Sequence, residues 1–327
     1  MHFDDVDKRL LNAIQIAFPL SREPFSVLGQ RLGIGADEVL RRIERFKREG
    51  AVRQIGPVLE AVRLGYRTTL VAMRVAQNRL AQAAQAIGQH PGISHGYERD
   101  HYFNLWFTLA LPPGAEVQTE LQELSTIMAP EVVLELPALR LFKIGVYFDL
   151  AGDGRQMLDS GIASPSTLHQ KADLSLTDKL VIDELQGDMP LVPRPFDIGS
   201  TRLLMDVDEF LAHCRSLQQR GIMRRFGASI DHNNIGFRAS AMACWVAPPE
   251  VVEIAGRKVA ALREVSHCYE RKTGPLWPYN LFAMIHGHAR EDCQMIADKV
   301  SRETGLDEYV LLFSVKELKK TRVKYLL

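Results

Sequence analysis

The chain is written twice. Shifting the sequence by 171 positions pairs Asp7-Lys8 with Asp178-Lys179, Pro24-Phe25 with Pro195-Phe196, and Asp37-Glu38 with Asp208-Glu209. The same shift pairs Gly50-Ala51-Val52-Arg53 with Gly221-Ile222-Met223-Arg224, and Leu64-Gly65-Tyr66 with Ile235-Gly236-Phe237. At a shift of 172, Ile93-Ser94-His95-Gly96-Tyr97-Glu98-Arg99 meets Val265-Ser266-His267-Cys268-Tyr269-Glu270-Arg271. Agreement in separated blocks means a duplicated structural unit, so any fold must contain two copies of one module. Between them, residues 151–173 are rich in Gly, Ser, Asp and Ala without periodicity, the composition of a linker.

Each copy reads alike. Val6, Leu10, Leu11 and Ile14 recur at helical spacing, Phe25–Leu32 forms a short second helix, and Gly33 precedes a third from about Asp37 to Glu49. Residues 51–60 alternate like a short strand and hairpin, which predicts a winged helix-turn-helix. Strand, helix, strand, strand, helix and strand follow over 68–75, 80–88, 93–98, 104–110, 116–127 and 139–148, the βαββαβ order of a ferredoxin-like sandwich. The expected fold class is α+β, a tandem duplication. Winged helices occupy 1–66 and 174–237, and ferredoxin-like domains 67–150 and 238–327, expected to pack on each other as a pseudo-symmetric pair.

Forty Lys and Arg balance forty Asp and Glu, so no net field draws the chain to nucleic acid or an anionic membrane, and any anion site must be a local cluster. No stretch matches a membrane span, and the start lacks the basic and apolar regions of a signal peptide, so a cytoplasmic protein is expected. Four cysteines, Cys214, Cys244, Cys268 and Cys293, show no C-x-x-C pair, and neither a disulfide framework nor a metal site is expected. A DNA-reading helix would begin at Gly35-Ala36-Asp37-Glu38 and at Met205-Asp206-Val207-Asp208-Glu209. Carboxylates there suit a helix N-terminus but repel phosphate.

Joining a winged helix to a ferredoxin-like domain resembles the leucine-responsive and asparagine-type regulators. Within that superfamily three stretches are similar to the siroheme decarboxylases: Arg224-Arg225-Phe226-Gly227, the run from Tyr97 to Trp106, and Ser266 to Arg271 followed by Trp277-Pro278-Tyr279-Asn280-Leu281-Phe282. The first half resembles the D component of that family and the second the L component, fused into one chain. The resemblance implies non-oxidative removal of carbon dioxide from two acetate side chains of siroheme, giving 12,18-didecarboxysiroheme for haem d1 synthesis. It implies no cofactor beyond the iron tetrapyrrole substrate. Partners would be siroheme and its decarboxylated products, other haem d1 biosynthesis proteins and further copies of the chain, but neither nucleic acid nor a membrane. A DNA-binding regulator responding to a tetrapyrrole or other small molecule is the alternative reading.

Such chemistry needs a proton donor at the methylene carbon, cations for eight carboxylates and aromatic walls for the ring. His101, at the strand end that opens the turn into Asn104-Leu105-Trp106, is the first acid candidate, against the alternative of an exposed loop histidine without a role. His232, where the first copy has Ala61, is the second, beside the Arg224-Arg225 pair that replaces Arg53-Gln54. Tyr97 and Arg99, like Tyr269 and Arg271, alternate to one side of a strand and are candidate binding residues, as are Arg53, Arg224, Arg225 and Lys272. Trp277 and Tyr279, in a turn four residues longer than its counterpart, are candidates for the wall. His95 and His267 recur in both copies and read as structural as readily as functional.

Overall fold

A computed structural model describes residues 2–145, 150, 171–231, 233–237 and 239–327, without the side chain of Asn233. Most of the expected 151–173 linker, and His232, lie outside the described residues.

The helical part of each copy has three helices: α1 (Asp5–Ile16), α2 (Pro24–Leu32) and α3 (Ala36–Arg48), then α6 (Leu176–Leu185), α7 (Phe196–Arg202) and α8 (Val207–Gln219). Capping boxes start α1 and α6: Asp4 accepts from the Asp7 amide and Ser175 from the Asp178 amide, each returned by the aspartate. Asp7 and Asp178 are buried, and each is held by arginine, Arg42 and Arg45 for the first and Arg220 for the second. The two helical triads share one hydrophobic core, with Leu10, Phe18 and Ile43 from one copy and Phe196, Phe210 and Phe226 from the other.

The wing differs from the sequence reading. Among the described residues each copy contributes a single strand, β1 (Val52–Leu59) or β6 (Met223–Ile230), and no hairpin of its own. The two strands pair antiparallel with each other, Gly56 opposite Gly227, so the pseudo-twofold axis passes through the ribbon. A strand with one edge satisfied by the sister copy needs no local hairpin partner. Gly227 is required there: a Cβ would lie 2.8 Å from the Ile14 carbonyl oxygen and 2.9 Å from that of Gln15, both backbone atoms of α1.

The remaining elements follow the expected βαββαβ order twice: β2 (Arg67–Arg74), α4 (Leu80–Gln89), β3 (Ile93–Arg99), β4 (Leu105–Leu111), α5 (Val117–Met128) and β5 (Val132–Ile144), then β7 (Ala239–Trp245), α9 (Val252–Ala261), β8 (Val265–Arg271), β9 (Leu281–Gly287), α10 (Arg290–Thr304) and β10 (Tyr309–Lys320). The two sheets do not simply stack. They fuse into a closed barrel of order β10-β3-β4-β2-β5-β8-β9-β7. Closure depends on the long strands β5 and β10. Residues 132–137 of β5 pair with β2 and 138–144 cross to β8; residues 309–313 of β10 pair with β7 and 314–320 cross to β3. Bulges in both crossing segments bend the strands from one sheet into the next. Each crossing also lends a side chain to the other copy's core: Phe142 packs beneath α9, where a Cβ on Gly256 would come within 2.4 Å of its ring. Helices α4, α5, α9 and α10 cover the outside, and Phe103, Trp106, Trp277 and Phe282 plug one end of the barrel.

Candidate active site

Between the β1–β6 ribbon and the barrel lies a cavity of about 680 Å³, in the range of small-molecule pockets. Its two walls are related by the repeat. On β3, His95, Tyr97 and Arg99 point inward, and on β8, His267, Tyr269 and Arg271 do the same. Alternation along a strand explains the sharing of one face at every second residue. Bulges at Ser94 and Ser266 break that alternation and bring each serine to its histidine's side. The Ser94 hydroxyl lies 2.9 Å from His95 Nδ1, and the Ser266 hydroxyl 2.9 Å from His267 Nδ1.

Eight lysine and arginine side chains face the cavity against two glutamates, Glu60 and Glu317, in a chain of zero net charge. Two of the cations are tied across the pseudo-axis: Arg53 pairs with Asp231 (2.7 Å), and Arg224 with Glu60, its counterpart at the 171 shift. Others have no carboxylate partner among the described residues. Arg99 donates from Nη1 to the Leu312 carbonyl (2.7 Å) and Arg271 to that of Leu136 (2.9 Å), and burial pulls the pKa of both down, Arg99 to about 10. Arg225 is likewise depressed by burial and by its neighbour Arg224. Arg322 lies over the centre of the ribbon, donating to the carbonyls of Pro57 and Gly227, its pKa lowered to about 10 by burial and Arg225. Buried guanidinium groups with no carboxylate partner among the described residues form a site short of negative charge.

The same surroundings act on the histidines. Burial, then Lys320 and Arg53, hold His95 at about 4, and burial, then His95 and cationic neighbours, hold His267 at about 3. Both rings line the cavity, and the cations around it favour the neutral imidazole at each. A polyanion entering would reverse the charge term and raise both. Burial pushes the Tyr97 and Tyr269 phenols up, which keeps them as O–H donors.

The crossing strands make the two corners unequal. Glu317 and Lys320 of β10 stand opposite Tyr97 and His95, whereas Leu141 and Ile144 of β5 stand opposite Tyr269 and His267. Glu317 reaches Arg53 at 3.0 Å.

Of the residues proposed from sequence, Arg53, Tyr97, Arg99, Arg224, Arg225, Tyr269 and Arg271 are brought together in this cavity. Others are not. Lys272 is exposed outside it. Trp277 packs behind the wall, edge-on to Trp106 at 5.1 Å, with Tyr279 beside it. His101 does not line the cavity; its Nδ1 accepts from the Phe103 amide (3.1 Å) and its ring meets Trp277 at 5.5 Å. His232 lies outside the described residues. Lys320, Arg322 and His286 were absent from the sequence reading. The placement of His95 was legible, since it stands two residues before Tyr97 and four before Arg99 on the same strand.

A family model for the siroheme decarboxylase NirDL-like helix-turn-helix domain matches residues 7–53 and 178–224, and one for the AsnC-like ligand binding domain matches 63–143 and 234–319. A siroheme decarboxylase of Hydrogenobacter thermophilus is 40% identical over 97% of this chain and 94% of its own length. The chain belongs to the siroheme decarboxylase family. The NirDL subunit of Paracoccus denitrificans is 34% identical over 97% of this chain and 96% of its own. The siroheme decarboxylase beta subunit of Methanosarcina barkeri, 41% identical, matches 45% of this chain and 97% of itself, as expected if the fused chain equals two subunits. Among solved structures, the siroheme decarboxylase NirDL superposes with a TM-score of 0.73 at 37% identity, covering 98% of this chain and 94% of the other. A siroheme decarboxylase NirDL in co-complex with an iron-uroporphyrin III analogue gives 0.72 at 36%, with the same coverage.

Proposed function

We propose that this protein is a carboxy-lyase that removes carbon dioxide from two acetate side chains of siroheme, yielding 12,18-didecarboxysiroheme for haem d1 synthesis in the cytoplasm. The observation that carries the reading is one cationic cavity with a Ser-His-Tyr-Arg set on each of two opposed walls. Two like reactions on one macrocycle call for two donors in one chamber. Relatives that carry the decarboxylase name over nearly the whole chain support it.

Arg99, Arg271, Arg225 and Arg322 hold the peripheral carboxylates, with Arg53 and Arg224 kept in place by Asp231 and Glu60. Trp106 and Phe282 face the ring. His95 and His267 are the proton donors. Their Nδ1 atoms are engaged by serine, which leaves Nε2 for the substrate. As the carbon–carbon bond breaks, its electron pair passes to the methylene carbon and the conjugated ring; carbon dioxide leaves, and a histidine N–H supplies the proton that completes the methyl group. No resident cofactor enters this scheme, because the iron arrives with the substrate.

The helix-turn-helix serves as scaffold in this reading. Arg42 on α3 is consumed by Asp4, Asp7 and Glu38, and the N-terminal turn of α8 is covered by Arg22, paired with Asp208 at 2.6 Å. Cations so engaged are not available for phosphate. Anaerobic incubation with siroheme tests the proposal: mass spectrometry should show loss of two carbon dioxides, whereas no loss together with an electrophoretic shift of upstream DNA would establish a regulator instead.

A further inference from the structure

The two Ser-His sets differ in what stands behind them. In the second copy the Ser266 hydroxyl touches two histidines: Nδ1 of His267 at 2.9 Å and Nε2 of His286 at 2.8 Å. His286 is on β9, opposite Ser240 of β7, and also faces the cavity. In the first copy the register puts Ala110 at the matching position: Ile93 stands opposite Leu109 on β4 as Val265 stands opposite Ile285 on β9. Ser94 therefore has His95 and no second imidazole from that position.

We propose that His286, acting through Ser266, is a proton-relay residue that recharges His267, so that the decarboxylation served by the second copy has a histidine relay where the first copy has Ala110. This rests on His267 being a donor, as argued above. A hydroxyl has one proton to give and lone pairs to receive one, and the two contacts of Ser266 suit both at once. With His286 as imidazolium, its Nε2–H donates to Ser266 Oγ while the Ser266 O–H donates to His267 Nδ1. When His267 gives its Nε2 proton to the substrate carbon, the serine proton moves onto Nδ1 and the His286 proton onto the serine. One proton leaves His286, one arrives at the methylene carbon, carbon dioxide departs, and His267 remains a neutral imidazole in its other tautomer. Its ring never has to hold a full charge among Arg224, Arg225 and Lys320. A macrocycle filling the cavity would shut bulk water from His267, and an internal route then matters.

The test uses single-turnover decarboxylation of siroheme by the full chain, with products resolved by mass. Ser266→Ala and His286→Ala should slow one of the two losses at least tenfold, so that a singly decarboxylated tetrapyrrole accumulates, with the affinity for siroheme changed less than twofold. Ser266→Thr, which keeps the hydroxyl, should restore the rate. In mixtures of light and heavy water the affected phase should bow in the wild type, reporting several protons in flight, and become linear in His286→Ala, a change that loosened packing would not produce. The relay is refuted if His286→Ala leaves both phases at wild-type rate, slows both equally, or keeps the bowed response. The underlying reading fails separately: if the wild type releases no carbon dioxide, the activity is wrong, and if His267→Ala still completes both losses, the donor is wrong.

Discussion

Replacing Arg99 with methionine should make the empty protein more stable and the loaded one weaker. The guanidinium is buried, with no carboxylate within ion-pair distance among the described residues, and its pKa falls from the ordinary guanidinium value to about 10. At about 1.36 kcal/mol per unit, holding that charge costs the folded empty protein about 3 kcal/mol. The folded value lies below the unfolded one, so the cost is fully present at every pH below about 10 and fades as pH rises toward the ordinary guanidinium value. Methionine keeps the aliphatic stem but loses the bonds to the Leu312 carbonyl and the Ser314 hydroxyl, roughly 1 kcal/mol each. A net gain of about 1 kcal/mol remains, which raises Tm by roughly 2 °C in a chain of this size. Against this, a lost charge-assisted hydrogen bond to a substrate carboxylate is worth about 1.5–3 kcal/mol, or roughly 10- to 150-fold in Kd. Scanning calorimetry of the empty protein and absorbance titration with siroheme measure both sides. A variant that melts several degrees lower, or binds siroheme as the wild type does, would show that Arg99 is a structural residue and not a waiting anion anchor.

Substituting either His95 or His267 by alanine should halt the reaction after one loss of carbon dioxide and leave different isomers from the two variants, whereas His101→Ala, altered outside the cavity, should complete both within about fivefold of the wild-type rate; product masses and chromatography decide. The empty protein should lose stability as pH falls from about 6.5 toward 4, because the unfolded histidines take up protons that His95 and His267 in the folded cavity refuse. Cavity water screens both rings, so the effect should be about 1–2 kcal/mol by urea unfolding, and His95→Gln/His267→Gln should flatten it. Glu317→Leu, which copies Leu141 of the other corner, removes one of two cavity glutamates and should tighten siroheme binding several-fold. Gly256→Ala should cost about 1–3 kcal/mol by driving a methyl group into the Phe142 ring, read as a lower urea midpoint.

Much of the architecture could be read without coordinates, because duplication and periodicity are local properties. The three-helix units follow from the apolar spacing of Val6, Leu10, Leu11 and Ile14 and the break at Gly33, and the βαββαβ order from alternation and turn signals. The inward side of β3 and β8 was readable too: Tyr97 and Arg99 share a face by a period of two, and His95 belongs to it by the same rule. His101 is a candidate from sequence because it stands at the strand end that opens the turn into Asn104-Leu105-Trp106, but that turn sets its ring against Trp277 and not in the chamber.

What the sequence alone determined is that two unequal copies of one module exist, with cations and aromatic residues alternating along matching strands. It could not show that the wing strands pair with each other, nor that β5 and β10 cross over to close a barrel, since both depend on contacts between the two copies, more than 100 positions apart in the chain. That closure decides the chemistry. It sets Glu317 and Lys320 against one histidine and Leu141 and Ile144 against the other, seats Arg322 over the pseudo-axis, and brings His286 to Ser266, side chains whose neighbours come from different strands and elements. The inequality of the halves was visible as residue differences; only the shared barrel turned those differences into one cavity with two unlike histidine corners.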